Sequence, residues 1–182
     1  MIESERVRLR GAEKEDIPRF VAWLNDPEVT DGLLIYWPLS LGQEEDWFAK
    51  NLQKPVDEQA LVIEAKTDEI WTAIGNSSFM NVNLHDRLAE VGIFIGDKRF
   101  WNQGYGKETM RLLLKFGFDR LNLNKVYLHV FETNKRAIRC YEQVGFVHEG
   151  LLREDIFKNG KYLNVHVMSV LCLEWQQMNR EI

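Results

Sequence analysis

Hydrophobic and polar residues alternate in "RVRLR", which predicts a strand over residues 6–10. The pattern then changes period in "EKEDIPRFVAWLND", where Ile17, Phe20, Val21 and Leu24 share one helical face. An aromatic loop, "DGLLIYWPLS", leads into "GQEEDWFAKNLQK", a second helix in which Trp47, Phe48 and Leu52 cluster. Residues 59–66, 71–82 and 88–96 read as three consecutive strands, and the turn-forming "NLHDR" between the last two makes an antiparallel meander the simplest arrangement. Met110, Leu113, Leu114, Gly117, Phe118 and Leu121 recur at three and four residues, the spacing of a long amphipathic helix. The β-rich "KVYLHVF" follows, so strand, helix and strand imply a right-handed crossover between parallel neighbours. "NKRAIRCYEQVGF" reads as another helix, begun by Asn134 and stopped by Gly145. Finally "GLLREDIF" and "KYLNVHVMSVLCLEW" flank "KNGK", where Asn159 and Gly160 suit a two-residue hairpin turn.

These elements give an α/β chain with a mixed sheet, and its 182 residues fit one domain over 1–182. The net charge of −5 excludes a general nucleic-acid binder and sooner attracts cationic small molecules. No apolar run approaches the roughly 20 residues of a membrane span. The N-terminal "MIESERVRLRG" has no secretory core, and we expect a cytoplasmic protein without membrane partners. Cys140 and Cys172 lack metal-ligand spacing and read as reduced thiols in or near the core. His85, His129, His148 and His166 are scattered singly, so no metal is expected.

The stretch "RFWNQGYGKETMRLLLKFGF" carries candidate chemistry. Trp101, Asn102, Gln103, Gly104, Tyr105 and Gly106 follow a strand and run into the long helix, whose free amides form a positive pole. Glycines let a phosphate approach the backbone, and Lys107 adds a full charge, so the segment suits an anion such as a pyrophosphate. It is not a P-loop, since Trp101 and Glu108 occupy the positions of its first glycine and its Ser/Thr. Nor is it a dinucleotide fingerprint, because Thr109 replaces the third glycine. On spacing alone, Gly104 and Gly106 serve a tight turn equally well.

The pairing of "GYGKE" with the later N..A...Y...GF pattern resembles the GCN5-related N-acetyltransferase (GNAT) family. The resemblance covers almost the whole chain, and "WNQGYGKE", "RLRGAEKED" and "GFVHEGLLRE" are similar to the branch of RimJ/RimL-type protein N-terminal acetyltransferases and spermidine acetyltransferases. It implies a central, mostly antiparallel sheet of about seven strands flanked by helices, with acetyl-coenzyme A as co-substrate. The departure is Trp101, where the commonest family pattern has Gln or Arg. Backbone amides then carry more of the phosphate binding.

The resemblance also implies roles. Tyr141 is placed as the acid that protonates the departing thiolate, although Ala137, Ile138, Tyr141 and Val144 equally form a packing face. Glu90 shares a strand face with Gly92 and Phe94 and is the candidate base; the competing reading pairs it with Arg87 or Lys125. The coenzyme's arm is expected along the backbone of Phe94 and Ile95, near Asn134, with Lys135 and Arg136 able to meet the phosphates. Cys140 as a covalent nucleophile lacks a His partner.

Tyr36 and Trp37 in the aromatic loop, and the turn with Asn83, His85 and Asp86, are candidates for the acceptor mouth, where Glu90 would also meet the amine. Ordinary packing explains Trp37 as well. The expected reaction is direct acetyl transfer to a primary amine, a protein N-terminus or small molecule. A polyamine comes second, because the only acidic cluster, Glu44, Glu45 and Asp46, reads as a helix N-terminus. A non-catalytic acyl-coenzyme A sensor is the reading from another class, and a homodimer is a family-level expectation.

Overall fold

The computed structural model describes residues 2–180. Eight strands form one sheet: β1 (Ile2–Glu3), β2 (Val7–Gly11), β3 (Leu61–Thr67), β4 (Ile70–Asn83), β5 (Leu88–Ile95), β6 (Lys125–Phe131), β7 (Val147–Lys158) and β8 (Lys161–Leu171). Their spatial order is β1-β2-β3-β4-β5-β6-β8-β7. Every adjacent pair is antiparallel except β5 and β6, which run parallel as the intervening helix requires. The helices are α1 (Ile17–Leu24), α2 (Pro27–Thr30), α3 (Leu41–Asn51), α4 (Tyr105–Asp119), α5 (Lys135–Val144) and α6 (Cys172–Arg180).

Helix boundaries follow local chemistry. Ser40 accepts from the Gln43 amide while the Gln43 side chain accepts from the Ser40 amide, a reciprocal cap that starts α3. Asn134 accepts from the Ala137 amide at the head of α5, and Gly145, with φ of 108°, ends it in the left-handed conformation that glycine adopts at little cost. Asn159 and Gly160 both have positive φ, 50° and 76°, and form the β7–β8 turn.

The mostly antiparallel sheet flanked by helices is as expected, the two-residue β1 bringing it to eight strands. Two expectations need correction. The terminal strand stops at Leu171, where the Leu171 amide donates to Glu174 and so caps α6; the alternating "LCLEW" conceals this helix start. Leu52 lies outside its expected cluster and is 54% exposed.

Strand alternation separates two cores. Val7, Leu9, Ile63, Ala65, Val126 and Leu128 pack on one face of the sheet against Met110, Leu113 and Leu114 of α4 and Ile138 and Val144 of α5. On the opposite face Phe20 of α1 meets Val62 and Ala73, with Trp23, Trp47 and Phe48 packed alongside. Arg8 and Arg10 point to this second face. There Arg8 pairs with Glu64, Arg10 Nε reaches Glu64 at 2.9 Å, and Arg10 Nη1 reaches Asp16 at 2.7 Å.

Burial by itself would raise the Asp16 and Glu64 carboxyls, but the arginine hydrogen bonds outweigh it and hold both below the usual range. Groups depressed in the folded state stabilise it above their unfolded values, about 3.9 and 4.3, and that contribution is lost as pH falls through the folded values. Asp16→Ala should cost about 3 kcal/mol at neutral pH, the low end for a buried pair because Arg10 keeps Glu64. Denaturant unfolding at pH 7 and pH 3.5 tests this, since the difference between wild type and variant should shrink at the lower pH.

Candidate active site

The parallel strands pair only at Leu88–Lys125, Ala89–Val126 and Glu90–Tyr127. Beyond Glu90 they diverge, although β5 continues to Ile95 and β6 to Phe131. The gap opens a cleft of about 1590 Å³. That exceeds the roughly 300–1,000 Å³ of a typical small-molecule site and leaves room for two substrates. The Gly96 amide donates to the Ile74 carbonyl of β4, so alternation along β5 turns the Ile93 and Ile95 amides away from β4, into the gap.

One end of the cleft is built for an anion. Asn102 and Gly104 have φ of 59° and 87°, which curls the chain so that α4 begins with Tyr105, Gly106 and Lys107. The first amides of a helix have no intrahelical acceptor, and these three line the cleft. A Cβ on Gly106 would meet only Cys140 Sγ, at 3.9 Å, so the approach to the backbone is open. Lys107, Lys135, Arg136 and Arg139 line the same end, and none of them forms an ion pair among the described residues. Glu108 faces away from the cleft, accepting from Ser4 Oγ at 2.5 Å and Arg6 Nη2 at 2.7 Å. Trp101 acts as a strut: its indole N–H donates to the Ile95 carbonyl at 2.7 Å, and the Arg136 guanidinium lies 3.9 Å from its ring centroid.

Part of the lining is acidic. Glu28, Asp31, Glu44, Glu90 and Asp155 contribute to it from four separate segments, and Glu28 is paired with Lys98 at 3.2 Å. Glu44 is 4% exposed, and no hydrogen bond or ion pair holds its carboxylate among the described residues. Burial raises its pKa. Glu44 stands in the first turn of α3 as expected, but Ser40 and Gln43 do the capping, and Glu44 is buried in the lining of the cleft.

Tyr141 and Glu90 come from opposite faces of the sheet and line one cleft because the strands part between them. Tyr141 is 9% exposed, packs against Phe146 at 5.7 Å, and burial, with a smaller effect from Cys140, lifts its phenol well above the ordinary tyrosine value. It stays protonated at any physiological pH. Glu90 does not pair with Arg87 or Lys125, which bond Asn122 and Glu149 instead. Its Oε1 lies 2.7 Å from His129 Nδ1, and its Oε2 accepts from Asn81 Nδ2 at 2.9 Å. Burial pushes the Cys140 thiol up, only partly offset by Lys107 and Arg136, which disfavours the thiolate a covalent route needs.

Among the remaining expected site residues, Phe94, Ile95, Trp101, Asn102, Lys135 and Asn134 line the cleft. Gln103, Tyr36, Trp37 and His85 do not. Gln103 donates to the Arg99 carbonyl, and Trp37 is 81% exposed. His85 precedes β5 at the end where β5 and β6 are closed, so it cannot reach an opening that begins after Glu90. His129 and Glu44 were missed. A lone histidine in "KVYLHVF" carries no spacing signal, although its parity with Tyr127 opposite Val126 and Leu128 marks it as facing away from the core.

The model of the acetyltransferase (GNAT) domain matches residues 6–147. The chain belongs to the GNAT family. Spermidine N(1)-acetyltransferase of Vibrio cholerae serotype O1 is 31% identical over 172 residues, spanning 92% of this chain and 94% of that protein. An uncharacterized N-acetyltransferase, p20, of Bacillus licheniformis is 30% identical over 175 residues, spanning 94% and 96%. The crystal structure of the Vibrio cholerae spermidine N-acetyltransferase in complex with CoA and spermine superposes with a TM-score of 0.85 at 28% identity, covering 95% of this chain and 99% of that one.

This GNAT protein is an acetyl-coenzyme A-dependent N-acetyltransferase. The cleft fits that co-substrate on its own evidence: free helix amides and four unpaired cations suit the phosphates, and the inward amides of β5 suit an extended arm bearing amides. Among the described residues no group of His, Cys, Asp and Glu could hold a metal ion, and no helix is long and apolar enough to cross a membrane.

Proposed function

We propose that the chain acetylates a small cationic amine of the polyamine type, with Glu90 as base and Tyr141 as acid. Five carboxylates that line the cleft, Glu28, Asp31, Glu44, Glu90 and Asp155, carry this reading, Glu44 foremost because it is buried with no bonded partner among the described residues. Sequence order scatters these acids, which is why no cluster is apparent before folding. The spermidine acetyltransferases among the relatives agree with it.

Acetyl-coenzyme A supplies the acetyl group as a thioester. A primary amine with a pKa near roughly 10.4 arrives mostly protonated, so a base is needed for attack. Glu90 takes a proton from the acceptor nitrogen, directly or through a water, while His129 and Asn81 fix its two oxygens. As the new C–N bond forms and the C–S bond breaks, the nitrogen's second proton leaves to water, Tyr141 gives its proton to the departing sulfur, and water restores the proton of Tyr141. A raised phenol is a weak acid in water, but the same burial disfavours the thiolate, which narrows the mismatch.

Glu44 is assigned to the remote ammonium of the acceptor. A charge-assisted hydrogen bond of about 1.5 to 3 kcal/mol corresponds to about a 10- to 150-fold effect. Thiol release should therefore be fastest with spermidine or spermine, ahead of peptide N-termini and amino sugars, and Glu44→Gln should raise the polyamine KM at least about tenfold with little change in the acetyl-coenzyme A KM. Faster turnover of a peptide N-terminus than of any polyamine would overturn the acceptor class and leave the transferase intact.

A further inference from the structure

The tip of the β7–β8 hairpin places a cation where no catalytic step uses one. Lys158 is 8% exposed, on the last residue of β7 before the Asn159–Gly160 turn. Its ammonium donates to the Thr30 carbonyl at 2.6 Å and to the Leu33 carbonyl. It also lies 5.8 Å from the Tyr36 ring centroid and 5.7 Å from that of Phe131. Two carbonyls and two aromatic faces thus enclose an ammonium that no carboxylate salt-bridges among the described residues. Burial lowers the lysine's pKa, with Asp31 opposing, so the cage works against a desolvation cost.

The segment it grips has little hold of its own. From Asp31 to Leu39 the chain forms neither helix nor strand, and Leu34, Tyr36 and Trp37 are 60%, 55% and 81% exposed. Yet Asp31, Leu33 and Ile35 line the cleft. Gly32 sits so close to the α5 cap that a Cβ there would lie 2.4 Å from Asn134 Nδ2. The loop is therefore wedged between the cofactor side and the hairpin tip, and its carbonyls are held by a residue more than a hundred positions away in sequence.

We propose that Lys158 is a positioning residue that tethers the 30–36 loop as the wall of the acceptor site, so that the β7–β8 hairpin sets amine affinity without touching the amine. This rests on the reading of the acidic lining as the acceptor side. Lys158→Met keeps the stem and removes the ammonium, whereas Lys158→Arg restores donors and charge. Lys158→Gln, with two donors and no charge, is the substitute should the Met variant fail to fold.

The test combines steady-state kinetics, using acetyl-coenzyme A and spermidine, with amide hydrogen exchange on the full chain. In Lys158→Met the spermidine KM should rise about tenfold, the value for one lost charge-assisted bond, while the acetyl-coenzyme A KM stays within about twofold. Exchange should quicken over residues 30–36 and remain unchanged in β2 to β4, and Lys158→Arg should recover most of both effects. Unchanged loop exchange would overturn the tether while leaving the acceptor wall standing. Faster exchange with an unchanged spermidine KM would overturn the proposal through the wall reading itself. An equal rise in both KM values would reduce Lys158 to general structure and overturn it as well. If spermidine is not acetylated at all, the acceptor class fails and the exchange data alone decide the tether.

Discussion

Tyr141→Phe lowers kcat by about 10²- to 10⁴-fold, the range over which a positioned acid contributes, and leaves acetyl-coenzyme A binding within about threefold. The ring makes the packing contacts, with Phe146 at 5.7 Å and Ile138 and Val144 on the same helix face, and phenylalanine keeps all of these. Only the proton is removed. Thiol release measured beside calorimetric binding of acetyl-coenzyme A separates the outcomes: a loss of binding equal to the loss of rate would make Tyr141 a packing residue, and unchanged turnover would remove it from the chemistry.

Glu90→Gln is expected to lower kcat/KM for the amine by about 100-fold near pH 7, and the deficit should shrink as pH rises. The sign follows from the acceptor. With no base, turnover depends on the fraction of amine already neutral, which grows about tenfold per pH unit until the amine's pKa near 10.4. Wild-type enzyme has Glu90 to accept the proton and needs that fraction less. Glutamine preserves the Asn81 and His129 geometry in size if not in charge, so a fall in rate that stays constant from pH 7 to pH 10 would show that Glu90 orients the acceptor and does not accept its proton.

Much of this architecture was legible from local rules. Period-two and period-3.6 patterns located β3 to β6 and α4, and two left-handed positions, Gly145 and Gly160, marked a helix end and a hairpin. What stayed hidden depends on tertiary placement. Glu44 carries the same sequence signature as Glu45, a charge in the first turns of a helix, and only the packing of α3 beside Phe20 buries one and exposes the other. His129 was one of four isolated histidines until β6 was seen to run beside β5, which brings it to Glu90. Lys158 reads as a surface lysine in a polar turn. Its burial is visible only when the hairpin folds back on a loop near the other end of the chain. In the aromatic loop the residues on the cleft are Leu33 and Ile35, while Trp37, 81% exposed, lies outside its lining.

The parting of β5 from β6 creates two strand edges in the middle of a sheet. An unpaired edge at the rim invites another chain to add to it, the usual route to aggregation. These inner edges lie inside a cleft lined by residues of α4 and α5, away from the rim of the sheet where another chain's strand would add. The hydrogen-bonding capacity that would be a hazard outside is thus reserved for a ligand slender enough to lie down as a missing strand.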